Sequence, residues 1–205
     1  MRTMASLGRW KLSRTVRTSE KITAQVSGTA TISPSKEVKD GIQEGSGDNN
    51  EPISILRYEE TGEMVFEGRS QKVPVSKSYF LRIPGKAVSE QGRIRMSELG
   101  PFDVHFARDD KGEAVSVLDK SNHYVTFVKP TEKCSPDEKD PGSKECTPNG
   151  NGITTFHSSE HLCGADLYRA NLCISAEDEF LTECIVKGPK KDFTIETKYA
   201  AQKKK

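Results

Sequence analysis

Several things that would identify a protein of 205 residues are missing from this one. It has no run of 18 apolar residues, so no segment reads as a membrane-spanning helix. The N-terminus lacks an apolar core of the kind a secretory signal needs. Aromatic residues are 7% of the chain, with a single Trp, and Leu, Ile, Val and Phe together number 42. That supply builds a modest core with much polar loop around it. Charge of one sign is not in excess either: 31 basic residues face 30 acidic ones, for a net +1, which argues against a disordered polyelectrolyte. The phosphate-binding G-x-x-x-x-G-K-[S/T], the dinucleotide G-x-G-x-x-G, the nucleophile elbow G-x-S-x-G and the EF-hand loop are all absent. Segments with a helical repeat are almost absent too.

What is present is alternation. "KITAQVSGTATIS" (21–33) puts Ile22, Ala24, Val26, Gly28, Ala30 and Ile32 on one side, the period-two signature of a half-buried strand. "ISILRY" and "EMVFEG" flank "EETG" and read as a hairpin. "SYFLRI" sets Tyr79, Leu81 and Ile83 on one face. "FDVHFAR" (102–108), "EAVSVL" (113–118) and "HYVTFVK" (123–129) read as a three-stranded meander, with His105 on the solvent face. "FLTECIVK" (180–187) and "DFTIETKY" (192–199) complete about nine short strands. The expected fold class is therefore all-β, a β-sandwich or jelly-roll-like domain over 21–199. Its long polar loops are 34–52 and 130–151, and it is flanked by a flexible basic arm (1–20) and a basic tail (200–205).

The two ends are basic and the middle is not. Residues 1–30 carry a balance of +5 and residues 187–205 another +5, leaving −9 between them. In the arm, Arg9, Lys11, Arg14 and Arg17 surround Trp10, a pattern suited to neutralising phosphates while an indole stacks on a base. The same composition suits a mitochondrial transit peptide, which makes an organelle-imported subunit an alternative.

The five cysteines, Cys134, Cys146, Cys163, Cys173 and Cys184, are an odd number without a secretory signal, which predicts free thiols in an intracellular setting, cytoplasm or virion. "HSSEH" places His157, Glu160 and His161 as H-x-x-E-H, the inverted zinc-peptidase motif, which requires both histidines on one helix face. A structural zinc site could instead draw on His157, His161, Cys163, Cys134 and Cys146, although spacings of 12 and 11 residues fit no compact finger. The leading expectation is a non-enzymatic protein without a cofactor. It would self-associate into a homo-oligomer or larger assembly and touch nucleic acid or an anionic membrane surface, a layout like that of virion coat or matrix proteins. The zinc-binding module or zinc-dependent hydrolase is the alternative.

Overall fold

A computed structural model of the chain describes residues 4–6, 8–19, 21–35, 53–89, 93–95, 98–107, 123–129, 154–176 and 178–202. Alternation begins earlier than expected. Strand β1 is Met4–Ser6 and β2 is Gly8–Arg17, in which Trp10, Leu12 and Arg14 are buried while Arg9, Lys11 and Ser13 are exposed. The segment expected to be a flexible arm is thus a strand with an inner face. Its cationic residues hid a period of two that hydropathy alone does not score.

The remaining strands are β3 (Ile22–Pro34), β4 (Ile53–Phe66), β5 (Lys72–Pro84), β6 (Arg93–Arg95), β7 (Phe102–Phe106), β8 (His123–Val128), β9 (Thr154–Ser158), β10 (His161–Cys163), β11 (Asp166–Ala176), β12 (Glu179–Lys187) and β13 (Asp192–Ala201). All but β1 and β6 join one antiparallel sheet. Two pairings make that sheet a closed ring of ten strands: β13 with β2, from Thr194↔Arg17 to Ala201↔Trp10, and β9 with β11, from Thr154↔Ile174 to His157↔Asn171. Around the ring the order is β2, β3, β4, β5, β7, β8, β9, β11, β12, β13, an up-and-down barrel, with β10 hanging on β11 as a short hairpin. The expected sandwich or jelly roll is therefore wrong. A stacked pair of sheets and one sheet closed on itself give every strand the same one-face-in pattern, and only the pairing of the first and last strands separates them.

Four local readings change with it. "EETG" is no turn: β4 runs straight through it, and Gly62 lies opposite Gly28 of β3. A Cβ on Gly28 would sit 2.2 Å from the Thr61 carbonyl oxygen, so glycine serves close approach of two strands there. Strand β7 pairs directly with β8, Phe102 against Phe127, rather than through 113–118, which lies outside the described residues. His105 does face away from the barrel interior but is only 2% exposed, packed beside His123 near a small outer cluster of Phe80 and Ala107. Strand β13 continues to Ala201, so the expected tail starts inside the barrel wall; residues 203–205, like 36–52 and 130–153, lie outside the described residues.

The lower end of the barrel is filled. Between β5 and β7 the chain makes a 3-10 turn (Gly85–Ala87) and pairs β6 with β1, setting Ala87, Ile94 and Leu99 into the main core with Ile83, Phe102 and Phe156. Ring contacts between Phe102, Phe127 and Phe156 at 5.1 and 5.6 Å tie this end together. The seam between β8 and β9 is thin, only Phe127↔Ser158 and Val128↔His157, and is reinforced where the Ser159 and Thr126 amides donate to the Thr126 carbonyl and the Ser159 hydroxyl. No helix among the described residues is long and apolar enough to cross a membrane.

Candidate functional site

Above the packed end the interior opens into a cavity of about 490 Å³. Its walls follow from strand parity. Alternate residues of β5 (Lys77, Tyr79, Leu81, Ile83), of β11 (Tyr168, Ala170, Leu172, Ile174) and of β12 (Phe180, Thr182, Cys184) all point inward. Every tyrosine of the chain, Tyr58, Tyr79, Tyr124, Tyr168 and Tyr199, lines it. The rings form a ladder: Tyr58 to Tyr79 at 5.9 Å, Tyr79 stacked on Tyr124 at 5.9 Å, and Tyr124 edge-on to His161 at 4.8 Å. The cavity reaches the surface at this upper end, where Phe106, His161 and Cys163 line it and keep accessible surface.

Inside lies one buried polar network. Arg14 donates from both terminal nitrogens to the two Glu60 oxygens at 2.6 Å and from Nε to Thr197 at 2.9 Å. The Tyr58 hydroxyl donates to Glu60 Oε2 at 2.7 Å and lies 3.0 Å from the Tyr199 hydroxyl. Since Tyr58 spends its proton on the carboxylate, Tyr199 is the donor to Tyr58. Burial works against ionised Glu60, but the two guanidinium bonds, the Arg14 charge and the Tyr58 bond overcome it and hold its carboxyl below the ordinary value. Burial likewise works against Arg14, and Glu60 keeps it charged. Desolvation keeps Tyr58 protonated and pushes Tyr79 up to about 12. The Cys184 thiol, also desolvated, is pushed up to about 11, with Lys77 and Arg14 pulling the other way.

Lys77 stands opposite Glu60 in the β4–β5 register and makes no hydrogen bond or ion pair among the described residues. Its side chain lines the cavity and keeps exposed surface. Desolvation lowers its pKa, the Arg14 charge lowers it further, and Glu60 and Cys184 oppose the shift.

The residues singled out from the sequence disperse. Arg9 and Lys11 remain on the outer face of β2, and Arg17 pairs with Glu196 at 2.9 Å. Trp10, 1% exposed, packs edge-on against Phe180 at 4.9 Å, so it has no surface to offer a base. Among the described arm residues, Arg14 lines the cavity. The "HSSEH" stretch forms strands β9 and β10 instead of a helix, which separates its members. His157 is exposed and bonded to Asn171 at 2.8 Å, Glu160 pairs with Arg169, and His161 turns into the cavity mouth. Cys163 is a free, exposed thiol; Cys134 and Cys146 lie outside the described residues. No cluster of three or more His, Cys, Asp or Glu among the described residues could hold a metal. Cys184 is free as expected, but Cys173 is disulfide-bonded, which corrects the expectation of thiols throughout.

Sequence reasoning missed Glu60, Lys77, Tyr58, Tyr124, Tyr168 and Tyr199. The signal was parity: Lys77 is two residues before the Tyr79–Leu81–Ile83 face, and Tyr199 ends the Phe193–Ile195–Thr197 alternation. Polar residues at inward positions of a strand are the places to look once the strand is known to be a barrel stave.

A family of unknown function (DUF6314) matches residues 7–140 and 144–201, and the chain belongs to that family. No curated protein matches the sequence. Among solved structures, the S-type phycobiliprotein lyase CPES from Guillardia theta superposes with a TM-score of 0.52 over 98% of this chain and 90% of that one, at 11% identity. The likeness is one of fold, a closed antiparallel barrel in place of the sandwich. With the sandwich goes the coat- or matrix-like association role that rested on it.

Proposed function

We propose that this member of a family of unknown function binds an elongated, largely apolar small molecule with aromatic or conjugated character inside the barrel. One observation carries the reading: a cavity of about 490 Å³ within a ten-stranded barrel, lined by all five tyrosines. Protein interiors pack to the density of organic crystals, and a void of this size forfeits the contacts its walls could make. Eight strands enclose roughly the space side chains can fill, and ten enclose more, so a ligand restores the missing contacts. The aromatic ladder from Tyr58 to His161 offers ring faces and edges along the cavity's length, which suits a flat or conjugated guest. The solved barrel of similar fold is named a phycobiliprotein lyase, which makes bilins a sensible first class in a ligand panel.

The test is direct titration. N-phenyl-1-naphthylamine, a neutral probe whose fluorescence rises in apolar surroundings, should bind saturably at one site per chain. The single tryptophan, Trp10, packs on the cavity-lining Phe180 and supplies an independent readout by quenching. Filling the cavity with Ala170→Trp should abolish binding while circular dichroism stays that of a barrel. Failure of the probe and of a bilin to bind the native chain would sink the proposal.

A further inference from the structure

Among the described residues, the charges that line the cavity do not balance. Arg14 and Glu60 satisfy each other through two parallel bonds at 2.6 Å, and Thr197 and Tyr58 take up further donors and acceptors of the pair. Of the charged side chains that line the cavity among the described residues, Lys77 is left over, with neither a hydrogen bond nor an ion pair to any of them. Its side chain is exposed and lines the cavity, so the ammonium is open to a guest, and a carboxylate carried on an apolar body would give it a charge-assisted partner.

We infer that Lys77 receives the anionic end of the ligand, a single carboxylate on an extended apolar or conjugated body. This rests on the cavity being a ligand site. The charge class follows from Lys77: one cation left over among the described lining residues calls for one negative charge, which a monoanionic carboxylate supplies. The position follows from the wall. Lys77 sits between the Arg14–Glu60 pair and the aromatic mouth formed by Phe106, Tyr124 and His161, while below it the lining turns apolar through Leu81 and Ile83 to Phe102. A guest held by its carboxylate at Lys77 therefore lays its body against Tyr79 and Leu81, toward the packed end. Glu60 is held by Arg14 and Tyr58 and acts on Lys77 through its charge without a hydrogen bond or ion pair between them. The depressed basicity of Lys77 points the same way, because an arriving carboxylate would restore its charged form.

Three probes separate the claims: cis-parinaric acid, its methyl ester and N-phenyl-1-naphthylamine. The native chain should bind the acid at least about tenfold more tightly than the ester, the size expected of one charge-assisted hydrogen bond in a shielded site. Lys77→Met should erase that preference by weakening the acid alone, and Lys77→Arg should retain most of it. The acid-over-ester comparison on the native chain needs no variant, so a misfolded Lys77→Met leaves the test intact. Equal affinity for acid and ester, or a preference that survives Lys77→Met, overturns the role of Lys77 while the cavity stands. Failure of all three probes to bind overturns the cavity and this inference together.

Discussion

The two ends of this barrel are made of different material. At the lower end Ala87, Ile94 and Leu99 complete an all-apolar plug with Phe102, Phe127 and Phe156. At the upper end the same strands carry Arg14, Glu60, Lys77, Tyr124, Tyr168 and Cys184 on their inner face, and the space between them is open. Both ends obey the same alternation of inward and outward side chains. One end spends its inward positions on packing and so holds the fold. The other holds a few polar groups in fixed places against one another, at the expense of packing, which is the usual division between scaffold and site.

The sharpest way to break the comparison is at the packed end. Phe156 is fully buried and meets Phe102 edge-on, so Phe156→Ala should destabilise the chain by about 3–5 kcal/mol, the range for deleting a buried ring. Urea unfolding measures it. A loss under 1 kcal/mol would mean that the lower end is not the structural anchor.

Next comes the Arg14–Glu60 pair. Removing one partner leaves a buried charge uncompensated, so Glu60→Leu should cost about 3 kcal/mol, the low end of the range because Arg14 keeps its hydrogen bond to Thr197. Replacing both, Arg14→Met with Glu60→Leu, should recover most of that loss. The pair also sets an acid limit. The Glu60 carboxyl is held below its ordinary value in the folded chain, so its contribution is complete above the unfolded-state value of about 4.3 and is lost as pH falls through the lower folded-state value. Native protein should therefore lose stability on acidification through that window, and the double variant should lose less. Identical acid profiles for the two would show that Glu60 is not held below its ordinary value.

Period-two runs were plain in β3, β12 and β13, and they correctly announced an all-β chain. Closure was not legible, because it depends on β2 finding β13 across some 180 residues, and no local pattern records which strand an edge will meet. The first stave was misread because Arg14 interrupts the apolar face of Trp10, Leu12 and Val16. Its partner Glu60 lies 46 positions away in what looked like a turn. A charged pair that is neutral together reads as two solvated charges when each is seen alone. "HSSEH" misled in the opposite direction: its spacing has chemical meaning on a helix, and the chain puts it in strands that turn His157 out and His161 in.

The smallest effect concerns reactivity and sharpens the contrast between the mouth and the interior of the upper end. Cys163 is an exposed free thiol at the cavity mouth, whereas Cys184 is a free thiol on the inner face of β12, pushed up to about 11 by desolvation. Alkylation proceeds through the thiolate, so at pH 8 only about one Cys184 in a thousand is in reactive form. Iodoacetamide under non-reducing conditions should label Cys163 first. Labelling of Cys184 should be slow and rise about tenfold per pH unit toward 11, followed residue by residue with peptide mass spectrometry. A guest in the cavity should slow Cys184 further and change Cys163 less, since only the inner thiol is walled in by lining residues. Equal labelling rates for the two cysteines at pH 8 would mean that water and reagent move freely past Lys77, and that the interior is far less dry than its walls imply.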